Sequence, residues 1–276
     1  MANTVPFEKR ETPKDVKETT KYKLSKILNI VLISLFVIGM CFGALVIFHS
    51  FYYSKIFVSG QSMYPSLNLN AKNAEGSKVG PNGGDSGVGY RVEFGIVDKH
   101  SHAIKNIKRG DIIITYYPSD YDSEGNLIVT YDSKGNKIYP DTKIKRVVGF
   151  AGETIGLDAD GELLVNGNLT KLRGKRYYNQ ATLNTLPKTY GGAIPEGYIF
   201  VMGDNRAGTN SSDSRTVGPI KIEYVQGVFV AREGTCTISY KDGHSDCVND
   251  SYIWPEFGVW KIFTGFLAIW KRPKMK

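Results

Sequence analysis

Between Ile27 and Phe48 the chain carries 22 residues whose only polar members are Asn29 and Ser34. No charge interrupts the run, and as a helix it is long enough to cross about 30 Å of hydrocarbon. The pattern predicts a transmembrane helix over 27–48. The competing reading is a cleaved signal peptide, which normally has a shorter apolar region and a small-x-small site behind it; His49-Ser50-Phe51-Tyr52-Tyr53 supplies no such site. Lys17, Lys21, Lys23 and Lys26 precede the run. The cationic bias of cytoplasmic flanks then makes residues 1–26 a cytoplasmic tail and puts the body outside the cell membrane, against the lipid bilayer.

Past the anchor the hydrophobic period shortens. Alternating or β-branched runs recur between turn residues: Ile112–Tyr117, Leu127–Tyr131, Lys143–Phe150, Leu163–Val165, Tyr198–Met202 and Gly227–Ala231. None has the 3.6-residue stripe of a long amphipathic helix. A small repeat, Tyr121-Asp-Ser-Glu-Gly-Asn and Tyr131-Asp-Ser-Lys-Gly-Asn, sets two Gly-Asn turns ten residues apart and predicts surface hairpins. Residues 71–89, rich in Gly, Asn, Ser and Lys, read as a mobile loop.

Composition adds exclusions. With 41% hydrophobic and 22% charged residues in 276, the chain is a packed protein and not a disordered one. The net charge of +8 belongs to the two ends: residues 1–26 hold seven Lys/Arg against four Asp/Glu, residues 261–276 hold five against none, and residues 49–260 balance. A basic groove for phosphates is thereby excluded, and no nucleic acid is expected as a partner. Cys41 lies inside the anchor; Cys236 and Cys247, outside, are either a disulfide or two unlinked thiols. Without a Cys-x-x-Cys, and with His49, His100, His102 and His244 scattered, no metal and no cofactor is expected.

Three segments carry candidate chemistry. In Ser59-Gly60-Gln61-Ser62-Met63-Tyr64-Pro65-Ser66-Leu67, behind a short apolar strand over Ile56–Val58, a glycine turn presents the Ser62 hydroxyl beside backbone N–H groups able to hold an oxyanion. A packed Ser-Met turn is the bland alternative. In Lys143–Phe150 the strand period puts Lys145, Val147 and Gly149 on one face and Ile144, Arg146 and Val148 on the other. A lysine among apolar neighbours is desolvated, which lowers its pKa from about 10.4 and makes it a usable base; an edge-strand lysine that discourages aggregation is the alternative. Met202 to Arg215 is a polar loop of carboxylates, hydroxyls and guanidinia dense enough for a buried network.

Taken together, SGQSMYPSL (59–67), RGDIII (109–114), IKRVVGFAGETI (144–155) and MGDNRAGTNSSDSR (202–215), in this order behind an anchor, resemble the bacterial type I signal peptidases, Gram-positive-like in carrying Gly60. The resemblance covers about residues 54–232. It implies a mainly β fold: an N-terminal transmembrane helix followed by an antiparallel β-sheet catalytic domain with a smaller β cap. It implies an extracytoplasmic peptidase domain over 49–250, with insertions at 71–103 and 118–139 and a cap at about 156–195. By position it implies Ser62 as nucleophile and Lys145 as general base, Ser211 orienting the lysine, and Asp213 paired with Arg215 and Arg146 beneath the site. The implied partners are exported preproteins with signal peptides, bound by strand addition against Val58 and Ile144, and the secretion translocon is a further candidate. The loop over 203–215 is longer than the family's usual spacing, leaving Ser211 and Ser212 in competition, and Ala151 stands where a proline is common.

Two further classes stand beside this one: a dedicated or inactive signal-peptidase-like accessory protein of pilus assembly, and a self-cleaving Ser/Lys repressor protease. The second would carry a DNA-binding helix pair where this chain has its anchor. A structural membrane-anchored β-protein is the blandest alternative. The C-terminal segment, 251–276, is apolar then basic: Phe257–Trp270 is interrupted by Lys261, carries Trp260 and Trp270, and is followed by Lys271, Arg272, Lys274 and Lys276. It predicts membrane association, by a second crossing or an interfacial helix, against a core helix as the alternative.

Overall fold

The computed structural model describes residues 13–83, 87–158, 162–170, 172, 189–206, 210–241 and 244–252. The C-terminal segment from residue 253 onward and most of the expected cap's middle, 173–188, lie outside them. The chain divides into two units, Met1–Phe51 and Tyr52–Lys276.

The first unit is the helix α1, Pro13–Tyr52, which runs on to the first residue of the second unit. Its stretch Lys21–Phe48 has a mean hydropathy of 2.9 and is the one helix, among the described residues, long and apolar enough to cross a membrane. Leu28, Ile33, Phe36 and Ile38 are all exposed. A helix apolar on every face has no solvent-facing side to present, the composition of a membrane span. The expected span over 27–48 falls within it.

The second unit is antiparallel β: β1 (Tyr53–Phe57), β2 (Arg91–Asp98), β3 (Ile112–Thr115), β4 (Thr130–Tyr131), β5 (Lys137–Ile138), β6 (Lys143–Phe150), β7 (Thr154–Leu157), β8 (Leu163–Val165), β9 (Asn168–Leu169), β10 (Thr189–Ala193), β11 (Tyr198–Met202), β12 (Ile220–Lys221), β13 (Val225–Lys241) and β14 (His244–Tyr252). Two short helices, α2 (Ser101–Lys105) and α3 (Ser214–Val217), interrupt them. The main sheet runs β1-β2-β13-β3-β6-β11-β12, with β14 extending β13. A smaller sheet, β10-β7-β8-β9, forms the expected β cap, and β4-β5 stands as a separate hairpin.

Curl comes from β13. Its register slips against β2 between Phe229 and Ala231 and again between Arg232 and Gly234. The extra residues are bulges, which increase twist and bend the sheet. The curl brings the segment after β1 over β3 and β6, where Val58, Met63, Leu67 and Ile112 form one buried cluster with Ile144 and Phe229 against it. A larger cluster of Ile113, Val147, Ile199, Val201, Ile220 and their neighbours fills another part of the core.

Residues within 71–103, the stretch expected as an insertion, join the main sheet. They contribute β2, paired with both β1 and β13, with Val92, Phe94 and Val97 buried. Within 71–89 no strand forms among the described residues, only bridges of Lys72 to Lys78 and Arg91. Cys236 and Cys247 are joined by a disulfide, with Cα atoms 5.5 Å apart.

Candidate active site

Where β1 ends, Val58 donates its N–H to the Glu93 carbonyl at 2.9 Å and the chain turns through Gly60 to Ser62. Met63, fully buried, anchors the turn. Asn68 fastens it from behind. At φ 60, in the left-handed region that asparagine tolerates better than most residues, it directs its carboxamide at the carbonyls of Val58 and Gly60 and accepts from the Glu93 N–H. Glu93 returns the bond, its carboxylate accepting from the Asn68 N–H at 2.9 Å.

Two bonds from Asn205 complete the clamp: its N–H donates to the Ser62 carbonyl at 2.9 Å and its carboxamide to the Gln61 carbonyl at 3.0 Å. Because the Gln61 carbonyl also accepts from Tyr64 N–H, the Gln61–Ser62 peptide plane is fixed. So is the direction of the Ser62 N–H, which points opposite to that carbonyl. The Gln61 side chain is buried, and its carboxamide has no hydrogen-bond partner among the described residues.

Lys145 comes from β6, opposite Ile113 of β3. The residue is 4% exposed. Its Nζ donates to Ser62 Oγ at 3.1 Å and to the Ile144 carbonyl at 3.0 Å. A buried amine within hydrogen-bond reach of a hydroxyl is the arrangement proton transfer between them requires. Lys145 and Val147 do share a face, as the strand period predicts. Beyond Val147 the alternation fails, because a register shift between β6 and β11 turns Gly149 toward Ile155 and Ile194.

The supporting residues divide into two ion pairs. Asp213 accepts from Arg215 Nε and Nη2, each at 2.8 Å, from Ser211 Oγ at 2.8 Å and from the Gly203 N–H at 2.9 Å. Burial pushes the Asp213 carboxyl up, but the Arg215 hydrogen bond and charge, with the Gly203 and Ser211 bonds, outweigh it and hold the carboxyl below its ordinary value. Arg146, expected on Asp213, instead pairs with Asp204, its Nε donating to Oδ1 at 2.7 Å. Both partners are buried, and Arg146 also caps the Gly110 carbonyl at 2.6 Å. The strand period places Arg146 on the side opposite Lys145, where β11 delivers Asp204 two residues after Met202, its partner in the ladder. Ser211, expected at the lysine, gives its hydroxyl to Asp213. Gly203 lies between Ser211 and Ser62: a Cβ there would stand 2.2 Å from Ser211 Oγ and 2.5 Å from the Ser62 carbonyl oxygen.

Ser62, Lys145, Val58, Ile144 and Gly60 all line one cleft, as do Tyr117 and Ser212. Tyr117 donates its hydroxyl to the Ser212 carbonyl at 2.6 Å, and burial, with Asp213 and Asp120 nearby, pushes its phenol up. The ladder between β11 and β6 ends at Arg146, so among the described residues the edge of β6 over 143–145 is left open to the cleft, as is the outer edge of β1. Sequence reasoning quoted Gly203, Asp204 and Asn205 within a motif without giving them partners, and it missed Asn68, Glu93 and Tyr117. A polar residue four places after buried Met63-Tyr64 was the available signal for Asn68. The described Cys, His, Asp and Glu side chains gather at Cys236, Cys247 and Asp250, where the two sulfurs are already bonded to each other.

The architecture is that of a β peptidase domain behind an apolar N-terminal helix, and comparison with known proteins agrees. The family described as "Signal peptidase, peptidase S26" matches residues 29–232. The chain belongs to that family. A signal peptidase I of Bacillus caldolyticus is 31% identical over 185 residues, 64% of this chain and 77% of that protein. One from Mycobacterium tuberculosis is 30% identical over 153 residues, 48% of this chain and 49% of the relative. Against the Pseudomonas fluorescens signal peptidase I the identity is 27%, over 46% of this chain and 45% of the relative, so the chain spans about half the length of several relatives it matches. A solved signal peptidase I of Enterococcus faecalis aligns with 27% identity and a TM-score of 0.32, covering 45% of this chain and 97% of that one.

Proposed function

We propose that this chain is a membrane-anchored serine endopeptidase that removes signal peptides from exported preproteins, with Ser62 as nucleophile and Lys145 as general base. The observation that carries the reading is the 3.1 Å contact between Ser62 Oγ and a lysine amine that is almost wholly buried. Burial disfavours the ammonium form and lowers the pH at which the amine turns neutral. The neutral amine takes the Ser62 proton as Oγ attacks the scissile carbonyl, and the Ser62 N–H, fixed by the Asn205 clamp, faces the developing oxyanion. Collapse breaks the C–N bond, and the lysine returns the proton to the leaving amine; water, activated by the same lysine, then releases the acyl group from Ser62. Ser211, Asp213 and Arg215 hold the wall behind the dyad, and Arg146 with Asp204 holds the β6 side.

The substrate enters as an extended segment between the open edges beside Val58 and Ile144, its backbone bonded by strand addition and its small side chains seated in shallow pockets. The domain plan follows the family reading: tail 1–26, span 27–48, extracytoplasmic domain 49–250 and membrane-associated segment 251–276, with the N-terminus inside. The contact between Ser62 and Lys145 weighs against an inactive accessory protein.

Purified full-length chain in detergent is expected to cleave a preprotein at a small-x-small site, with a rate that rises with pH as Lys145 loses its proton. Ser62→Ala and Lys145→Ala should each abolish cleavage with unchanged circular dichroism. Activity retained in either folded variant would sink the mechanism.

A further inference from the structure

A second cleft opens directly from the first. The two share Ile56, Phe57, Ser59, Ser119, Asp120 and Thr142, so they form one continuous groove. The second holds neither Ser62 nor Lys145. Its added walls are Ile128, Ile138, Tyr139 and Pro140, from the repeat-bearing hairpins, and Tyr240, from the far end of β13. The side chains are apolar yet open to solvent: Ile128 is 46% exposed, Tyr139 54% and Tyr240 61%. Of the cleft's charged groups Asp141 is exposed, and the other two are engaged. Lys55 is paired with Asp250, and the Asp120 carboxylate accepts from the Tyr117 N–H.

The groove has a direction. Both walls leave the dyad by running back along the chain, from Val58 to Lys55 on β1 and from Lys145 to Asp141 on the other side. At about 3.3 Å per extended residue, Thr142 stands about 10 Å from Lys145. A substrate strand with its scissile carbonyl at Ser62 therefore reaches the second cleft at about its fourth residue and fills it to about its seventh. An export signal carries its apolar run before the small-residue cleavage site. The segment after the cut has no such shared chemistry. An apolar, aromatic extension on one side of the dyad matches the first and has nothing general to offer the second.

We propose that the hairpins over 118–139, with Tyr240, form an extended subsite that binds the end of the signal's apolar run, about four to seven residues before the cut. The proposal rests on the peptidase reading above. It gives the repeated Tyr-Asp-Ser-x-Gly-Asn hairpins a use beyond surface decoration. In each, an aspartate, Asp122 or Asp132, accepts two loop N–H groups at 2.8–2.9 Å. The hairpins are thus braced by their own turns and can carry apolar side chains on an exposed rim.

The test uses the full chain in detergent and two fluorogenic peptides with the same last three residues before the cut and the same residues after it. One carries leucine at the fourth to seventh positions before the cut, the other serine. Wild type is expected to prefer the leucine peptide about tenfold in kcat/KM, and the preference should fall toward one in the double variant Ile128→Ser/Tyr139→Ser. A photoreactive phenylalanine analogue at the sixth position before the cut should crosslink to the 118–139 segment or to Tyr240 in wild type. Equal cleavage of both peptides by wild type, a preference unchanged in a folded variant, or crosslinking elsewhere overturns the subsite. Failure to cut either peptide, or cutting that survives Ser62→Ala, overturns the peptidase reading and the subsite with it.

Discussion

Alanine at position 203 probes the tightest contact of the site. Its Cβ would lie 2.2 Å from Ser211 Oγ and 2.5 Å from the Ser62 carbonyl oxygen, well inside the 3.5 Å or so at which nonbonded heavy atoms stop repelling. Rotation takes the Ser211 Oγ away, at the loss of its bond to Asp213, while the Ser211 Cβ, 2.7 Å from the added Cβ, moves only with its backbone. The Ser62 carbonyl has no such freedom, because the Asn205 N–H holds it at 2.9 Å. Relief therefore requires the Ser62 backbone to move by about 1 Å, a misplacement that costs on the order of 100-fold in rate. Overpacking adds a stability loss of about 1–3 kcal/mol, or about 5 °C in Tm for a domain of this size. Cleavage of a preprotein by Gly203→Ala, followed on gels under single-turnover conditions with a thermal melt of the same sample, measures both. Wild-type rate and wild-type Tm together would refute the close approach of the segment after β11 to the Ser62 turn. A lowered Tm with full rate would place the adjustment on Ser211 and leave Ser62 where it is.

Asp204→Ala leaves the Arg146 guanidinium buried without its carboxylate and should cost about 3–5 kcal/mol in a denaturant titration, whereas Arg146→Met/Asp204→Leu together should cost much less; equal losses would contradict the pairing. Asp213 is held below its ordinary value of 3.8, so its stabilising contribution is complete above that value and is lost as pH falls through the lower folded value. Tm should accordingly fall more steeply below about pH 4 in wild type than in Asp213→Asn, and parallel curves would count against the sign.

The strands that a periodicity reading finds are those whose apolar or β-branched runs have clean ends. Lys143–Phe150, Leu163–Val165 and Tyr198–Met202 stand in the structure with the bounds their sequence suggests. The reading passes over β2, although Val92, Phe94 and Ile96 alternate, because Glu93 and Gly95 break its hydrophobic character. Their reasons lie elsewhere in the chain: Glu93 is bonded by Asn68 and Arg232, and a side chain at Gly95 would strike the Ala231 carbonyl and the Phe229 ring. β13 is under-read for a related cause. Past Ala231 its sequence turns polar, so the alternation of buried Gly234, Cys236 and Ile238 does not stand out as a hydrophobic run, and pairing with β14 and β2 sustains the strand. Asp204 and Asp213 are equally plausible partners for Arg146 in one dimension. The register of β11 on β6 decides between them.

The contact between Ser62 and Lys145 is itself a property of sheet closure. In a flat sheet of this order β1 and β6 stand four strand spacings apart, about 19 Å at roughly 4.8 Å each; Ser62, five residues past β1, nonetheless meets Lys145 of β6 at 3.1 Å. Curl at the β13 bulges removes that separation, and the buried cluster of Val58, Met63, Leu67 and Ile112 makes the closed form the favourable one. Short motifs name the two groups because each sits in a local context of its own. Their meeting depends on residues that carry no motif, Val230 and Glu233 at the bulges and Asn68 behind the turn, so the geometry of the site is held from positions that local sequence does not mark.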